Sequence, residues 1–483
     1  MLDLPETTTF LIGGARVTPT GATTSKVINP STEELIVETP SASEADVDLA
    51  VSAARDALPG WAAFPASSRA DYLDAIADAL ESRADNLAAI VMAEIGMPAK
   101  LARRIQVDLA ISDFRTYATE ARRYEFETRE GNSVIRHVPK GAIGAITPWN
   151  YPLHQIAGKV GGALAAGCTV VLKPSDVAPL TACVLAEVAE EVSLPAGVLN
   201  IILGPGRSIG EALVNHPGID MISFTGSPAA GTRVAELAGR GLKSTALELG
   251  GKSASVLLPD LTDEAFAKAI RTTVSACFLN SGQTCSGLTR LLVPQTRLAE
   301  AEQAALAAAE SFEVGGPDDA ASKMGPVISA RQRETIRDYI TTGEHEGAKL
   351  IIGGTEPPIN RDKGYFVRPT IFSDTTPEMT IVQEEIFGPV LTIQAYSDVD
   401  DAVSLANGTP YSLAGAVFGN DQDSAYDVAW RMRAGQVDVN GARFNPSAPF
   451  GGFGMSGHGR EFGAEGIAEF LTARAVQLPV VAQ

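Results

Sequence analysis

This 483-residue chain has only four cysteines, five histidines and three tryptophans. Cys168, Cys183, Cys277 and Cys285 stand at irregular spacing, which excludes a disulfide framework and gives no metal-ligand pattern. The scarcity of histidine argues further against a zinc site. Basic residues are in deficit, 38 against 58 acidic ones, for a net charge of −20. A surface of that sign does not suit nucleic acid, whose binding rests on neutralised phosphates. No apolar run approaches membrane-spanning length; the longest, around Gly161 to Leu172, is short and broken by glycines. The start, Met1 to Glu6, lacks a basic and then apolar leader. Expectations from these absences are a cytoplasmic protein with no metal and with no nucleic-acid or membrane partner.

A length of 483 residues with 45% hydrophobic and 20% charged residues fits two or three globular domains. Ser43-Glu44-Ala45-Asp46 predicts a capping box opening a helix that Pro59-Gly60 ends near Leu58. Apolar spacing predicts one helix from Arg69 to Ile95 and another from Leu101 to Arg122. After Ser133–Val138, which alternates as a strand, strand and helix signals interleave. Strands are expected at 142–146, 169–172, 198–203, 221–224 and 255–258, with helices between them. That alternation predicts an α/β fold with a parallel sheet covered on both faces. The tail from Ala468 to Val480 reads as extended and could pair with Ser133–Val138.

Cys285 lies in Gly282-Gln283-Thr284-Cys285-Ser286, a polar, glycine-containing setting that suits an accessible, reactive thiol. The other three cysteines sit in apolar patterns and read as small core residues. Glu248 ends a mainly apolar run before Gly250-Gly251, either as a buried ion-pair partner or as a base of raised pKa. Asn150, after Thr147-Pro148-Trp149, is either a turn residue or an oxyanion donor. Three segments fall where strands end: Lys173-Pro174-Ser175-Asp176, Gly204-x-Gly206-x-x-x-Gly210 and Phe224-Thr225-Gly226-Ser227. In a doubly wound sheet that edge takes nucleotide ribose and pyrophosphate, although Ser227 also reads as an ordinary helix cap. Glu385-Ile386-Phe387-Gly388-Pro389 offers an aromatic for stacking on a ribose or nicotinamide, or a strand start with Phe387 in the core.

Taken in order, these motifs, with Ile28-Asn29-Pro30 and Pro449-Phe450-Gly451-Gly452, resemble the NAD(P)-dependent aldehyde dehydrogenase superfamily over nearly the whole chain. The resemblance implies a Rossmann-type dinucleotide-binding domain (1–120 and 140–251), an α/β catalytic domain (252–466) and a small β oligomerisation flap (121–139 and 467–483). It implies a homodimer or homotetramer acting on a small-molecule aldehyde. Cys285 would be the nucleophile, Asn150 an oxyanion donor, Glu248 the water-activating base and Lys159 its support. Thr147, Pro148, Trp149, Lys173, Ser175, Asp176, Gly206, Gly210, Phe224, Gly226, Ser227, Leu249, Glu385 and Phe387 would meet the cofactor. Asp176 stands where NAD-preferring relatives carry glutamate; its charge favours NAD, while its shorter side chain and Lys173 leave room for NADP. Tyr151, His154, Gln155, Gly158, Leu279, Thr284, Ser286, Arg443, Phe444 and Phe450 would line a substrate tunnel, with Gly158 widening it and Arg443 either holding a carboxylate or facing solvent. An amphipathic tunnel points to broad aliphatic, terpenoid or aromatic aldehydes. The alternatives are a CoA-acylating semialdehyde dehydrogenase, which would lack Glu248, and a non-catalytic binding protein, which would need neither Cys285 nor Glu248.

Overall fold

Five strands rich in small and β-branched residues form the parallel centre of the first sheet; four are buried on both faces and the fifth, Ser244–Glu248, is buried from Ala246 onward. Across the sheet they run Leu199–Ile201, Thr169–Lys173, Ala142–Ile146, Met221–Thr225 and Ser244–Glu248. Antiparallel strands close both edges: Phe10–Ile12 with Ala15–Val17 on one side, Gly457–His458 beside Ser244–Glu248 on the other. The computed structural model describes residues 2–479.

A second, seven-stranded sheet is parallel except at one edge and runs in the order Lys349–Ile352, Thr370–Ser373, Val390–Tyr396, Arg290–Pro294, Ala254–Leu257, Ala414–Phe418 and Gln436–Val439. In a separate sheet, Leu471–Gln477 pairs antiparallel with Ser133–Pro139, which pairs with Glu127–Glu130. The tail read as extended from Ala468 is a strand only over Leu471–Gln477, because Ala468 ends the helix Gly463–Ala468 and a turn follows; its last residue, Val480, falls outside the described residues.

Several helices depart from their sequence reading. The capping box at Ser43 and Asp46 is formed, but the helix Glu44–Ala63 runs through Pro59. The extra turn buries Trp61, which meets Phe64 and Tyr72 at ring-centroid distances of 5.5 and 5.7 Å. Burying an indole offsets the hydrogen bond that the proline removes. The single helix expected from Arg69 to Ile95 is two, Ala66–Ser82 and Ala84–Ile95. At the break, Ser82 Oγ and an Arg83 guanidinium N–H both donate to the Ala79 carbonyl, in competition with the backbone ladder. The segment from Pro152 to Ala166 is helical but widens to a π-type turn over Ala157–Gly161, and this turn carries Lys159. Cys168, Cys183 and Cys277 are buried core residues, as read.

Candidate functional site

Cys285 is half-buried and follows an unusual turn. Asn280, Ser281 and Gly282 have successive φ values of 52°, 57° and 76°, a left-handed run that only glycine adopts without cost. Side chains of the same segment hold it. Asn280 Nδ2 donates to the Asn150 carbonyl (2.9 Å), Gln283 Nε2 to the Asn280 carbonyl (3.0 Å) and Ser281 Oγ to the Gly325 carbonyl (2.8 Å). Gln283 Oε1 accepts from the Ile328 N–H at 2.9 Å. A Cβ on Gly282 would lie 2.0 Å from the Gly388 carbonyl, so the turn is seated directly on the segment after Phe387.

Glu248 is the last residue of its parallel strand, and the glycines after it allow two close approaches. A Cβ on Gly251 would lie 2.3 Å from the Cys285 carbonyl oxygen, and one on Gly250 would lie 2.0 Å from Glu385 Oε2. Glu385 Oε1 in turn accepts from the Gly251 N–H at 2.9 Å. Glu248 is buried and neither carboxylate oxygen has a partner among the described residues. Burial, and then the charge of Glu461, push its pKa well above the carboxylate range, against the pull of Lys159. Lys159 is itself buried and donates to Glu461 Oε1 at 2.5 Å. Glu461 was not picked out from the sequence; its signal was a carboxylate in Gly459-Arg460-Glu461-Phe462-Gly463, among glycine and phenylalanine.

Two clefts meet at Cys285. One, of about 300 Å³, opens at the C-terminal ends of the first sheet's parallel strands. Pro148, Trp149, Asn150, Gly226, Ser227, Leu249, Glu385 and Phe387 line it, as the sequence led us to expect, and Gln332, Thr335 and Tyr339 add a polar wall that it did not reveal. Trp149 and Phe387 stand edge to face at 5.4 Å, with Phe387 held at φ 54°. Ser227 caps the helix Pro228–Arg240 by accepting from the Ala230 N–H (3.3 Å) and also faces the cleft, so both of its readings hold geometrically. A helix N-terminus at the carboxyl edge of a parallel sheet suits a pyrophosphate.

The other expected cofactor contacts are outside the lining of this cleft. Phe224 belongs to the core, its ring folded under Gly226, where an added Cβ would meet it at 2.5 Å. Thr147 is buried and its N–H donates to the Lys173 carbonyl at 3.2 Å. Lys173 is buried too: Nζ donates to the Gly204 carbonyl (2.7 Å), and burial lowers its pKa to about 8. Ser175 and Asp176 are half-buried on the loop that follows. Gly210 packs toward Lys173, with an added Cβ 3.9 Å from Cδ, whereas nothing lies within 4 Å of one on Gly206.

The other cleft, of about 270 Å³, is a tunnel of mainly apolar wall. Tyr151, His154, Gln155, Leu279, Thr284, Ser286, Phe444 and Phe450 line it as expected, together with Ile105, Leu109, Gln436, Asp438 and Phe462. One expectation needs correction. Gly158 does not widen the tunnel, because the space above it is filled: a Cβ there would sit 3.0 Å from Glu461 Oε2 and 3.3 Å from the Phe462 ring. Of the two readings of Arg443, the structure has the solvent-facing one: it is exposed and outside the lining, not a substrate contact. Near the thiol, Tyr151 Oη and Thr284 Oγ1 share a 2.7 Å hydrogen bond, and Asn150 Nδ2 donates to the Gln283 carbonyl (3.0 Å), leaving its second amide hydrogen free of that bond.

Burial, then the charges of Glu385 and Glu248, raise the Cys285 thiol to about 12. Burial likewise lifts Glu385 to about 7. The thiol is thus protonated at neutral pH and needs a base. Among the described residues no helix is long and apolar enough to cross a membrane, and no His/Cys/Asp/Glu cluster could hold a metal ion.

Known proteins share this architecture. The family pattern described as "Aldehyde dehydrogenase family" matches residues 17–476. A Pseudomonas protein named 3-succinoylsemialdehyde-pyridine dehydrogenase is 43% identical over 468 residues, 97% of this chain and 98% of that one. The crystal structure of Aldehyde Dehydrogenase C from Pseudomonas syringae, a cysteine-to-alanine mutant complexed with NAD+ and octanal, is 42% identical with a TM-score of 0.98 and full coverage of both chains. A Mycobacterium tuberculosis aldehyde dehydrogenase complexed with NAD+ is 38% identical with a TM-score of 0.96, again covering both chains fully. With likeness of this depth along the full length, in sequence and in fold alike, the chain belongs to the aldehyde dehydrogenase family.

Proposed function

We propose that this protein oxidises an aldehyde to its carboxylic acid with NAD, through a thioester on Cys285 that water hydrolyses. The observation that carries the reading is the meeting of two clefts at one half-buried thiol, with a partnerless carboxylate on the adjoining strand end. The cleft at the sheet's carboxyl edge suits a dinucleotide: Ser227 offers a helix N-terminus, Trp149 and Phe387 an aromatic wall, and Glu385 a carboxylate for a ribose hydroxyl. Asp176 disfavours a 2′-phosphate, which makes NAD the preferred form over NADP.

Cys285 gives its proton to Glu248 as sulfur bonds to the aldehyde carbon, and the carbonyl oxygen becomes an oxyanion. The Asn150 amide and the Cys285 backbone N–H stabilise that charge, which is the term of largest effect in acyl chemistry. Bound NAD supplies the acceptor for the hydride that leaves the tetrahedral carbon. Glu248 releases the thiol's proton to solvent and then takes one from water as the water oxygen bonds to the acyl carbon; the carbon–sulfur bond breaks, and Glu248 returns that proton to the Cys285 sulfur. A carboxylate raised by burial is a competent base for both transfers. Glu248 is also the observation that disfavours acyl transfer to CoA.

The aromatic and aliphatic tunnel supports aliphatic, terpenoid or aromatic aldehydes, in keeping with octanal in one relative's crystal structure and a pyridine-bearing semialdehyde in another's name. We further read 1–120 with 140–251 as the nucleotide domain, 252–466 as the catalytic domain, and 121–139 with 467–483 as a flap joining two or four copies in the cytoplasm. Formation of reduced nicotinamide over a panel of aldehydes, with and without CoA, tests the reaction. Cys285→Ala is expected to abolish it, and retained turnover would end the mechanism.

A further inference from the structure

The tunnel holds a hydrogen-bonded imidazole–carboxyl pair that the oxidation chemistry leaves unused. His154 lies in the tunnel wall, its ring stacked on Phe462 (5.1 Å, 15°) and edge-on to Phe444 (6.1 Å, 84°). Its Nδ1 lies 2.6 Å from Oδ2 of Asp113. Asp113 is fully buried on the apolar face of the helix Leu109–Arg123, and its other oxygen has no partner. Lys159, the nearby cation, is taken by Glu461, so His154 is the ion-pair partner that Asp113 has among the described residues.

That burial decides which atom of the ring carries hydrogen. A net charge on the pair is costly in a mostly apolar wall, so its electroneutral states prevail. There are two: carboxylate with imidazolium, and carboxylic acid donating to Nδ1 of neutral imidazole. Both have a proton on Nε2. Nε2 has no protein partner among the described residues, whereas Tyr151 is engaged with Thr284 and the Gln436 amide donates to Asp438. The ring is therefore a fixed N–H donor without an acceptor.

We propose that His154, oriented by Asp113, is a specificity-determining residue that donates from Nε2 to a neutral acceptor on the substrate body, such as a ketone oxygen or ring nitrogen. The favoured class is then a keto- or heteroaryl-substituted aldehyde rather than a plain alkanal. Asp438 in the same wall opposes a carboxylate tail. Asp113 acts only through the ring, as a positioning residue. This inference rests on the aldehyde-oxidising reading above.

The test is a series of phenyl-terminated aldehydes carrying one ketone carbonyl at successive chain positions, each paired with its methylene analogue and assayed with NAD. At one position we expect kcat/KM to favour the ketone by about tenfold, the discrimination of one well-placed hydrogen bond. In Asp113→Leu/His154→Phe, which removes the pair without stranding a buried charge, that ratio falls to about one whatever the absolute rate. If this variant misfolds, Asp113→Asn/His154→Met makes the same deletion with less change of volume. A wild-type ratio near one at every position overturns the proposal, as does a ratio that survives the double substitution. Absence of reduced nicotinamide from every compound would instead overturn the oxidation reading beneath it.

Discussion

Gly282→Ala provides a sharp trial of the geometry around Cys285. The wild-type residue has φ 76°, and a Cβ would be placed 2.0 Å from both the carbonyl carbon and oxygen of Gly388 and 2.4 Å from the Pro389 nitrogen. All three are backbone atoms, so no side chain can rotate out of the way. The left-handed conformation alone costs an L-residue about 1–2 kcal/mol. Overpacking against fixed neighbours adds about 1–3 kcal/mol. The turn relieves the clash only by lifting away from Gly388, and that displaces Cys285, three residues on. Unfolding entropy near ~2.1 cal/mol/K per residue makes this a shift of only a few degrees in the thermal midpoint of a chain this long. The more sensitive readout is therefore kinetic. Displacement of a reacting atom by about 1 Å costs on the order of 10²-fold in rate, so kcat should fall by at least that much while NAD affinity changes little.

Gly206→Ala is the matched control. Nothing lies within 4 Å of a Cβ there and the backbone is not left-handed. Stability and kcat should both stay within about 0.5 kcal/mol of wild type. Equal behaviour of the two variants, or an active and stable Gly282→Ala protein, would refute the account of why the thiol's turn is built as it is.

Glu248→Gln should slow both the first-turnover burst of reduced nicotinamide and acid release, by about 10²–10⁴-fold, since the lost group is the base for the thiol and for water; rapid-quench kinetics decide, and a burst at the wild-type rate contradicts the first of these roles. Alkylation of Cys285 by iodoacetamide in the cofactor-free protein should climb about tenfold per pH unit past pH 9, following a thiol raised to about 12; a plateau near pH 9 would show an unburdened thiol. Lys159→Met should destabilise the fold by about 3–5 kcal/mol because it strands the Glu461 carboxylate beside Glu248, and urea titration measures the loss. Glu94 is fully buried, accepts from the Leu180 N–H (2.8 Å) with one oxygen and is raised to about 8. The folded state thus holds a proton that the unfolded state releases near pH 4.5. Stability should fall by about 1.4 kcal/mol per pH unit from there to about pH 8, and Glu94→Gln should remove that slope; parallel slopes in urea midpoints would refute the assignment.

Much of this site was legible from residue patterns, because the fold is reported by local signals. Apolar five-residue runs followed by helical spacing gave the parallel sheet, and strand-end motifs fell at its carboxyl edge as the topology requires. What could not be read depended on partners distant in the chain. The missing side chain at Gly158 looked like free space, yet Glu461 and Phe462, some 300 residues on, occupy it. Lys173 gave no hint that one of its donors is spent on the Gly204 carbonyl, 31 residues on. Asp113 had a local signal, an acid at the buried register of Ala110, Phe114 and Tyr117, but its partner His154 lies in another helix. Strained backbone was equally silent: asparagine and serine at Asn280 and Ser281 do not announce a left-handed run, which their own side-chain hydrogen bonds sustain.

The buried charges near the thiol explain why strain and solitude occur together here. Glu248, Glu461 and Asp113 are three buried carboxylates with Lys159, His154 and Arg460 as the cations near them, and Arg460 donates to the Gly452 and Gly459 carbonyls. Lys159 and His154 are each committed to one acid, which leaves Glu248 as the carboxylate that nothing holds. A hydrogen bond fixing Glu248 would have drawn its pKa down and tied its oxygens away from water. Instead its Oε1 lies so near Gly451 that an added Cβ would come within 2.7 Å, where a glycine leaves room for the carboxylate to move. Asp113 and Glu461 each hold one partner and keep one free oxygen, whereas Glu248, the proposed base, has neither oxygen engaged. Under the proposed mechanism, pairing Lys159 with Glu461 is therefore a condition for Glu248 to act as a base.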